Sequence, residues 1–170
     1  EPVQMDEFAV IRASFHPKMN NVMHDIIITP KMSFGTGHHA TTFLMIQEMR
    51  GLNFKDQSVI DFGTGTGVLA ILAEKLGAKE ILAIDHDEWS IHNAKENIET
   101  NNCCKINLQK ADEMIADNKA NIILANINLD VIIANTSAIK KACFKDTHIL
   151  ISGLLLQDEK KISDVLVANG

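Results

Sequence analysis

Cysteine is scarce in this 170-residue chain: there are three, two of them adjacent at Cys103 and Cys104. That number and spacing exclude a disulfide framework and the C-x-x-C pairs of zinc sites, and they point to reduced, partly buried thiols. Long apolar runs are missing as well. No stretch approaches the ~20 residues of a membrane-spanning helix, and residues 1–6 lack the basic start and apolar run of a signal peptide. The sequence therefore reads as that of a soluble cytoplasmic protein. Positive charge is in deficit, since 16 Lys and Arg against 22 Asp and Glu give a net charge of -6. Phosphate backbones are bound by clustered Lys and Arg, so a basic protein or a small molecule suits this chain better than nucleic acid. Internal repeats, low-complexity tracts and long linkers are absent too. What is present, 46% hydrophobic residues with 22% charged, is the balance of one globular domain with a sizeable core.

Apolar runs and turn residues predict alternating strands and helices. Residues 8–14 and 25–29 read as short strands, followed by a glycine-bearing loop over 30–38 and a helix over 39–50 with Gly51 just past its end. Five further apolar runs, at 59–62, 81–84, 106–109, 122–125 and 149–152, read as strands. Between and after them, residues 68–76, 88–100, 129–141 and 157–168 have helical character. Strands spaced by helices imply right-handed βαβ units, hence a doubly wound, mostly parallel α/β sheet. Such sheets bind ligands beyond the carboxyl ends of their strands, where strand order reverses.

The segment Asp61-Phe62-Gly63-Thr64-Gly65-Thr66-Gly67 sits where the first of these five strands turns into its helix. Glycines at alternate positions let backbone approach a ligand closely. The dinucleotide fingerprint G-x-G-x-x-G would place its third glycine at position 68, which is Val68. Asp61 also lies where a pyrophosphate would meet a carboxylate, whereas a cationic ligand would welcome it. S-adenosylmethionine carries an ammonium and a sulfonium and no phosphate, and an acid at the loop mouth suits it. The alternative for Asp61 is a turn role, accepting backbone N–H bonds of the loop. The next strand ends at Asp85, placed to accept hydrogen bonds from ribose hydroxyls. Asp87 reads as the cap of the following helix. Asp112 is a candidate for the adenine amino group and equally a solvated loop acid. Trp89 reads as a core anchor of its helix, with stacking on adenine as the alternative.

Upstream stands Gly35-Thr36-Gly37-His38-His39-Ala40-Thr41-Thr42, and downstream Ala125-Asn126-Ile127. Together with the DFGTGTG loop and Asp85, these segments resemble the ribosomal protein L11 methyltransferase (PrmA) family, whose pattern is G-T-G-x-H-x-T-T, then D-x-G-x-G-x-G, then N-I-L. The resemblance runs from Gly35 to about Gly153. It implies a Rossmann-like class I methyltransferase fold, S-adenosylmethionine as methyl donor, and lysine side-chain and N-terminal amines of a basic large-subunit ribosomal protein as acceptors. Carried over by motif, Thr42, Gly63, Asp85 and Asn126 fall on cofactor contacts, and His39 falls on the motif histidine. Thr36 and Thr42 offer hydroxyls to the methionine portion, with Asp61, Gly65 and Gly67 completing the cofactor loop.

Asn126 and His39 are the candidate catalytic residues: Asn126 to orient the acceptor amine, His39 to touch the cofactor or shape the acceptor cleft, with a cap or structural group as the alternative. The chain departs from the pattern at Asn128, where the family has leucine, a difference bearing on the acceptor pocket. The family also has an N-terminal recognition domain and two strands that close its sheet. Residues 1–30 are then an entry segment of short strands, and 31–170 a catalytic-core fragment with an open sheet edge. Other readings are a small-molecule or nucleic-acid methyltransferase on the same sheet, or a cofactor-binding module without activity.

Overall fold

The computed structural model describes residues 1–29, 40–114 and 119–169. Two sheets form. Residues Val3–Met5 (β1), Ala9–Arg12 (β2) and His24–Ile27 (β3) make a three-stranded sheet in that order. Its β1 and β2 run antiparallel and its β2 and β3 parallel. The larger sheet contains Ser58–Phe62 (β4), Glu80–Asp85 (β5), Ile106–Lys110 (β6), Ala120–Asn126 (β7) and Cys143–Ser152 (β8), ordered β6-β5-β4-β7-β8. All four of its pairings are parallel. The helices are Ala40–Met49 (α1), Val68–Lys75 (α2), Glu88–Thr100 (α3), Leu129–Lys141 (α4) and Glu159–Asn169 (α5), the last preceded by a 3-10 turn at Leu156–Asp158.

Both faces of the large sheet are covered, as its unbroken apolar strands require. Strand side chains alternate between faces, and the two cores follow that alternation. Val59, Ile81, Ala83, Ile122 and Leu124 join one core with α1, α2, α3 and the small sheet. Ile60, Phe62, Leu82, Ile84 and Ile123 join the other with α4 and α5. The expected doubly wound α/β architecture is therefore borne out. By the same period of two, Asp61, Asp85 and Asn126 continue the first face at the carboxyl ends of β4, β5 and β7. The chain builds outward through β4, β5 and β6 and then returns to the other side of β4. The switch in strand order thus falls between β4 and β7, beside Asp61 and Asn126.

Four strands differ most from the sequence reading. Strand β1 was not anticipated, because three residues are too few to show a period. The entry strands are shorter than 8–14 and 25–29. Strand β8 begins at Cys143 rather than at 149, since Lys145, Asp146, Thr147 and His148 interrupt the apolar run. The register slips there, with Ala120 opposite Cys143 but Ile122 opposite His148. Thr147 stitches the irregularity, its Oγ1 donating to Ala120 O at 2.6 Å and accepting from Phe144 N at 2.7 Å.

The small sheet is clasped by an ion pair. Arg12 Nε and Nη2 each lie 2.7 Å from a carboxylate oxygen of Asp25, and Nη1 donates to His16 O at 2.9 Å. The two side chains are 7% and 17% exposed. Removing one member of such a pair leaves the other buried without a counter-charge. Asp25→Ala is expected to cost about 3 kcal/mol, measured as a lowered urea midpoint at unchanged slope. A loss below about 1 kcal/mol would show that water readily takes the place of Asp25.

Candidate functional site

The glycine loop forms because β4 must turn directly into α2. Gly63, Gly65 and Gly67 have φ of 77°, 56° and 80°, a region that L side chains rarely adopt. Gly63 N and Thr64 N both donate to Ile84 O at 2.9 Å, tying the turn to the end of β5. Space is a second reason for glycine at position 63: a Cβ there would overlap Ile127 Cγ2. Gly153, at φ 82°, seats the same residue from the other side, for its Cβ would lie 2.6 Å from Ile127 O. Ile127 is thus held between a glycine of the loop and a glycine beyond β8, which fixes the segment that carries Asn126.

Beneath the loop lies Asp61, 1% exposed. Its Oδ2 accepts from Thr64 Oγ1 at 2.6 Å, while Oδ1 is buried with no hydrogen-bond partner. Burial pushes the carboxyl up to about 6 from an ordinary 3.8. The Thr64 hydroxyl and the Ala70 backbone amide in the first turn of α2 oppose the rise, and the nearby Asp85 charge adds to it. A buried carboxylate with an unused acceptor, beside a second carboxylate, is a pre-formed place for a cation.

Asp85, at the tip of β5, holds the loop from the side. Its Oδ2 accepts from Gly65 N at 2.8 Å and its Oδ1 from Asp87 N at 3.0 Å. A carboxylate has about four lone-pair sites, so both oxygens retain capacity for a further donor. Thr42, buried on α1, and Asn126, at the end of β7, meet through Asn126 Nδ2 and Thr42 Oγ1 at 3.3 Å. The fold therefore brings Thr42, Asp61, Gly63, Gly65, Gly67, Asp85 and Asn126 to one edge of the sheet. Thr36, His38 and His39 lie outside the described residues, as does the expected loop over 30–38.

Other expectations resolve individually. Asp87 caps α3, accepting from Ser90 N at 2.9 Å and Ser90 Oγ at 3.0 Å. Trp89 is not a core anchor; in the first turn of α3 it is 78% exposed, because the core-facing side of that helix is taken by Ser90, Asn93, Ala94, Asn97 and Ile98. Asp112 is exposed beyond β6. Asn128 caps α4 by accepting from Val131 N at 3.0 Å, so its departure from leucine serves the start of that helix. The cysteines are free, Cys103 and Cys143 partly buried and Cys104 exposed. Thr64 was missed as a functional residue, although its place three residues after a strand-end aspartate in a turn is a signal for such a bond.

Residues 1–170 match the family described as Ribosomal protein L11 methyltransferase (PrmA). The chain belongs to this family. Among its relatives, a ribosomal protein L11 methyltransferase of Bacteroides thetaiotaomicron is 37% identical over 160 residues, covering 93% of this chain and 57% of that protein. One of Chlorobaculum parvum is 41% identical over 176 residues, covering 98% and 60%. The chain thus spans a little over half the length of these curated relatives. A crystal structure of ribosomal protein L11 methylase from Lactobacillus delbrueckii subsp. bulgaricus superposes with a TM-score of 0.88 at 30% identity, covering 99% of this chain and 88% of that one.

The raised Asp61 pKa has a consequence for stability. The folded chain keeps this proton up to about pH 6, whereas the unfolded chain releases it near 3.8, so folding takes up a proton within that window. The Asp61 contribution to stability is fully present below pH 3.8 and is lost as pH rises through about 6, a change of about 3 kcal/mol. Urea unfolding from pH 4 to 7 should show this fall, and Asp61→Asn should remove most of it. An unchanged profile in Asp61→Asn would mean that the carboxylate ionises normally in the fold.

Proposed function

We propose that this chain is the S-adenosylmethionine-binding catalytic core of a cytoplasmic protein methyltransferase, whose acceptors are lysine side-chain and N-terminal amines of the basic large-subunit ribosomal protein L11. Family membership and relatives named ribosomal protein L11 methyltransferase support the substrate. The observation that carries the cofactor is the orphan Oδ1 of buried Asp61 beneath the glycine loop. A pyrophosphate there would meet a carboxylate at close range, while the ammonium of S-adenosylmethionine would supply the missing donor. A nicotinamide dinucleotide is disfavoured on the same ground and by Val68 in place of the third fingerprint glycine.

When bound, S-adenosylmethionine supplies a methyl group already activated by its sulfonium, so the protein has mainly to bind, align and exclude water. Asp61 takes the amino acid end. Asp85 uses its remaining lone pairs for the ribose hydroxyls while still holding Gly65. Gly63, bare of side chain, allows backbone approach. Thr42 and Thr36 offer hydroxyls to the methionine portion. A lysine amine has a reference pKa of ≈ 10.4 and must shed a proton to act as nucleophile. Asn126, its Nδ2 given to Thr42, presents its side-chain carbonyl to the N–H groups of that amine, and the proton leaves through water to solvent. His39, the motif histidine, is the second candidate for the acceptor chemistry.

Calorimetric titration with S-adenosylmethionine, beside NAD as control, tests the cofactor. Selective binding is expected, weakened about tenfold or more in Asp85→Ala, through loss of the ribose acceptor and of the Gly65 anchor. Binding of NAD alone would overturn the assignment. Affinity should also rise with pH through about 6 as Asp61 ionises. With ribosomal protein L11 as acceptor, Asn126→Ala should cut methyl transfer far more than cofactor affinity. Equal losses in both would leave Asn126 a binding role only.

A further inference from the structure

Helix α3 and its C-cap residue carry three asparagines at helical spacing, Asn93 and Asn97 within the helix and Asn101 at its end, on the side that faces β3 and the glycine loop. Asparagine is a poor choice for a helix interior, and a buried amide is unfavourable unless its donors and acceptor are used. Asn97 is fully buried and uses both ends. Its Oδ1 accepts from Thr29 N at 2.9 Å, just beyond β3, and its Nδ2 donates to Thr66 O at 2.9 Å, inside the glycine loop. Asn97 Nδ2 also lies 3.5 Å from Asn93 Oδ1. One turn on, Asn101 does different work: Oδ1 accepts from Ile27 N at 3.0 Å and Nδ2 donates to Ile27 O at 2.7 Å. Asn101 therefore pairs the edge of β3 as a neighbouring strand would, without reaching the loop.

We propose that Asn97 is a positioning residue for the cofactor site: a single amide that holds the glycine loop and the end of the entry sheet as one unit. The inference rests on the S-adenosylmethionine reading above. Three things set Asn97 apart from an ordinary buried polar residue. Its partners are both backbone groups, which no change in their own side chains could replace. They lie 68 and 31 residues away in sequence. They also sit in two different parts of the fold, since Thr29 lies just past β3 and Thr66 lies between Gly65 and Gly67. Attachment of β3 itself is already provided by Asn101, so the particular contribution of Asn97 is the link to Thr66. Without it, the carbonyl of Thr66 loses a donor and the loop loses its tie to the end of β3.

The 170-residue chain and three variants, Asn97→Ala, Asn97→Asp and Asn101→Ala, would be compared by calorimetric titration with S-adenosylmethionine and by thermal unfolding. Asn101→Ala should lower the melting temperature and leave Kd within about twofold. Asn97→Ala should raise Kd about tenfold. Asn97→Asp keeps the acceptor for Thr29 and loses the donor to Thr66, so it should weaken binding as Asn97→Ala does. The proposal is overturned if Asn97→Asp binds like the unmodified chain, or if the Kd changes of Asn97→Ala and Asn101→Ala simply track their losses in melting temperature. Should the Asn97 variants not fold, NMR of the unmodified chain decides. Saturation with cofactor should shift the side-chain amide resonances of Asn97 and leave those of Asn101 in place, and an unmoved Asn97 signal overturns the proposal. Absence of binding by the unmodified chain would instead overturn the cofactor reading, and this one with it.

Discussion

Burial of the Asp61 carboxylate at the end of the central strand is the constraint around which this site is arranged. A charge in that position is unfavourable, and the surrounding chain meets the cost only in part. Thr64 turns back to donate to Oδ2, and Oδ1 is left without a hydrogen-bond partner among the described residues. The turn that allows this runs through three glycines in left-handed backbone, and it is tied down by Ile84 O on one side and the Asp85 carboxylate on the other. A loop so held has its groups in place before any ligand arrives, which spares the ordering cost of binding.

The parallel sheet makes that arrangement possible. Strand ends that are far apart in sequence lie side by side, and the return of the chain across β4 puts the switch in strand order beside Asp61 and Asn126. The segment that carries Asn126 is closely packed as well. Ile127 is seated between Gly63 and Gly153, and Asn128 starts α4 immediately afterwards. Asn126 thus sits on a segment whose backbone has little freedom, and its amide is turned by Thr42 from α1. The small sheet is a working part of the same body, clasped internally by Arg12 and Asp25 and bound to α3 through asparagine amides.

Much of this was open to reading from residue order because its causes are local. Glycines at alternate positions after a strand leave few other conformations, so the loop, the helix after it and the strand-end acids Asp61 and Asp85 could be placed in advance. The same holds for the cap at Asp87, where side chain and amide are three residues apart. Readings failed where the deciding partner was remote. Trp89 belongs to an aromatic type that favours cores, yet the face of α3 that packs is chosen by what lies opposite, and Trp89 is on the other one. Strand β8 extends through polar residues because pairing with β7, and not burial, carries it across Lys145 to His148.

Sequence by itself determined the alternation of strands and helices, the backbone conformation of the glycine loop, and the residues that line the carboxyl edge. Periodicity, turn chemistry and motif spacing act over a few residues and need no knowledge of the rest of the chain. Tertiary structure alone decided which of those residues meet: Asn126 with Thr42, Asp85 with Gly65, Asn97 with both Thr29 and Thr66. It also decided that Asp61 keeps an acceptor empty. Such pairings depend on strand order and on distances through space, and a buried group's hydrogen-bond partners are set by whichever backbone the fold delivers to it.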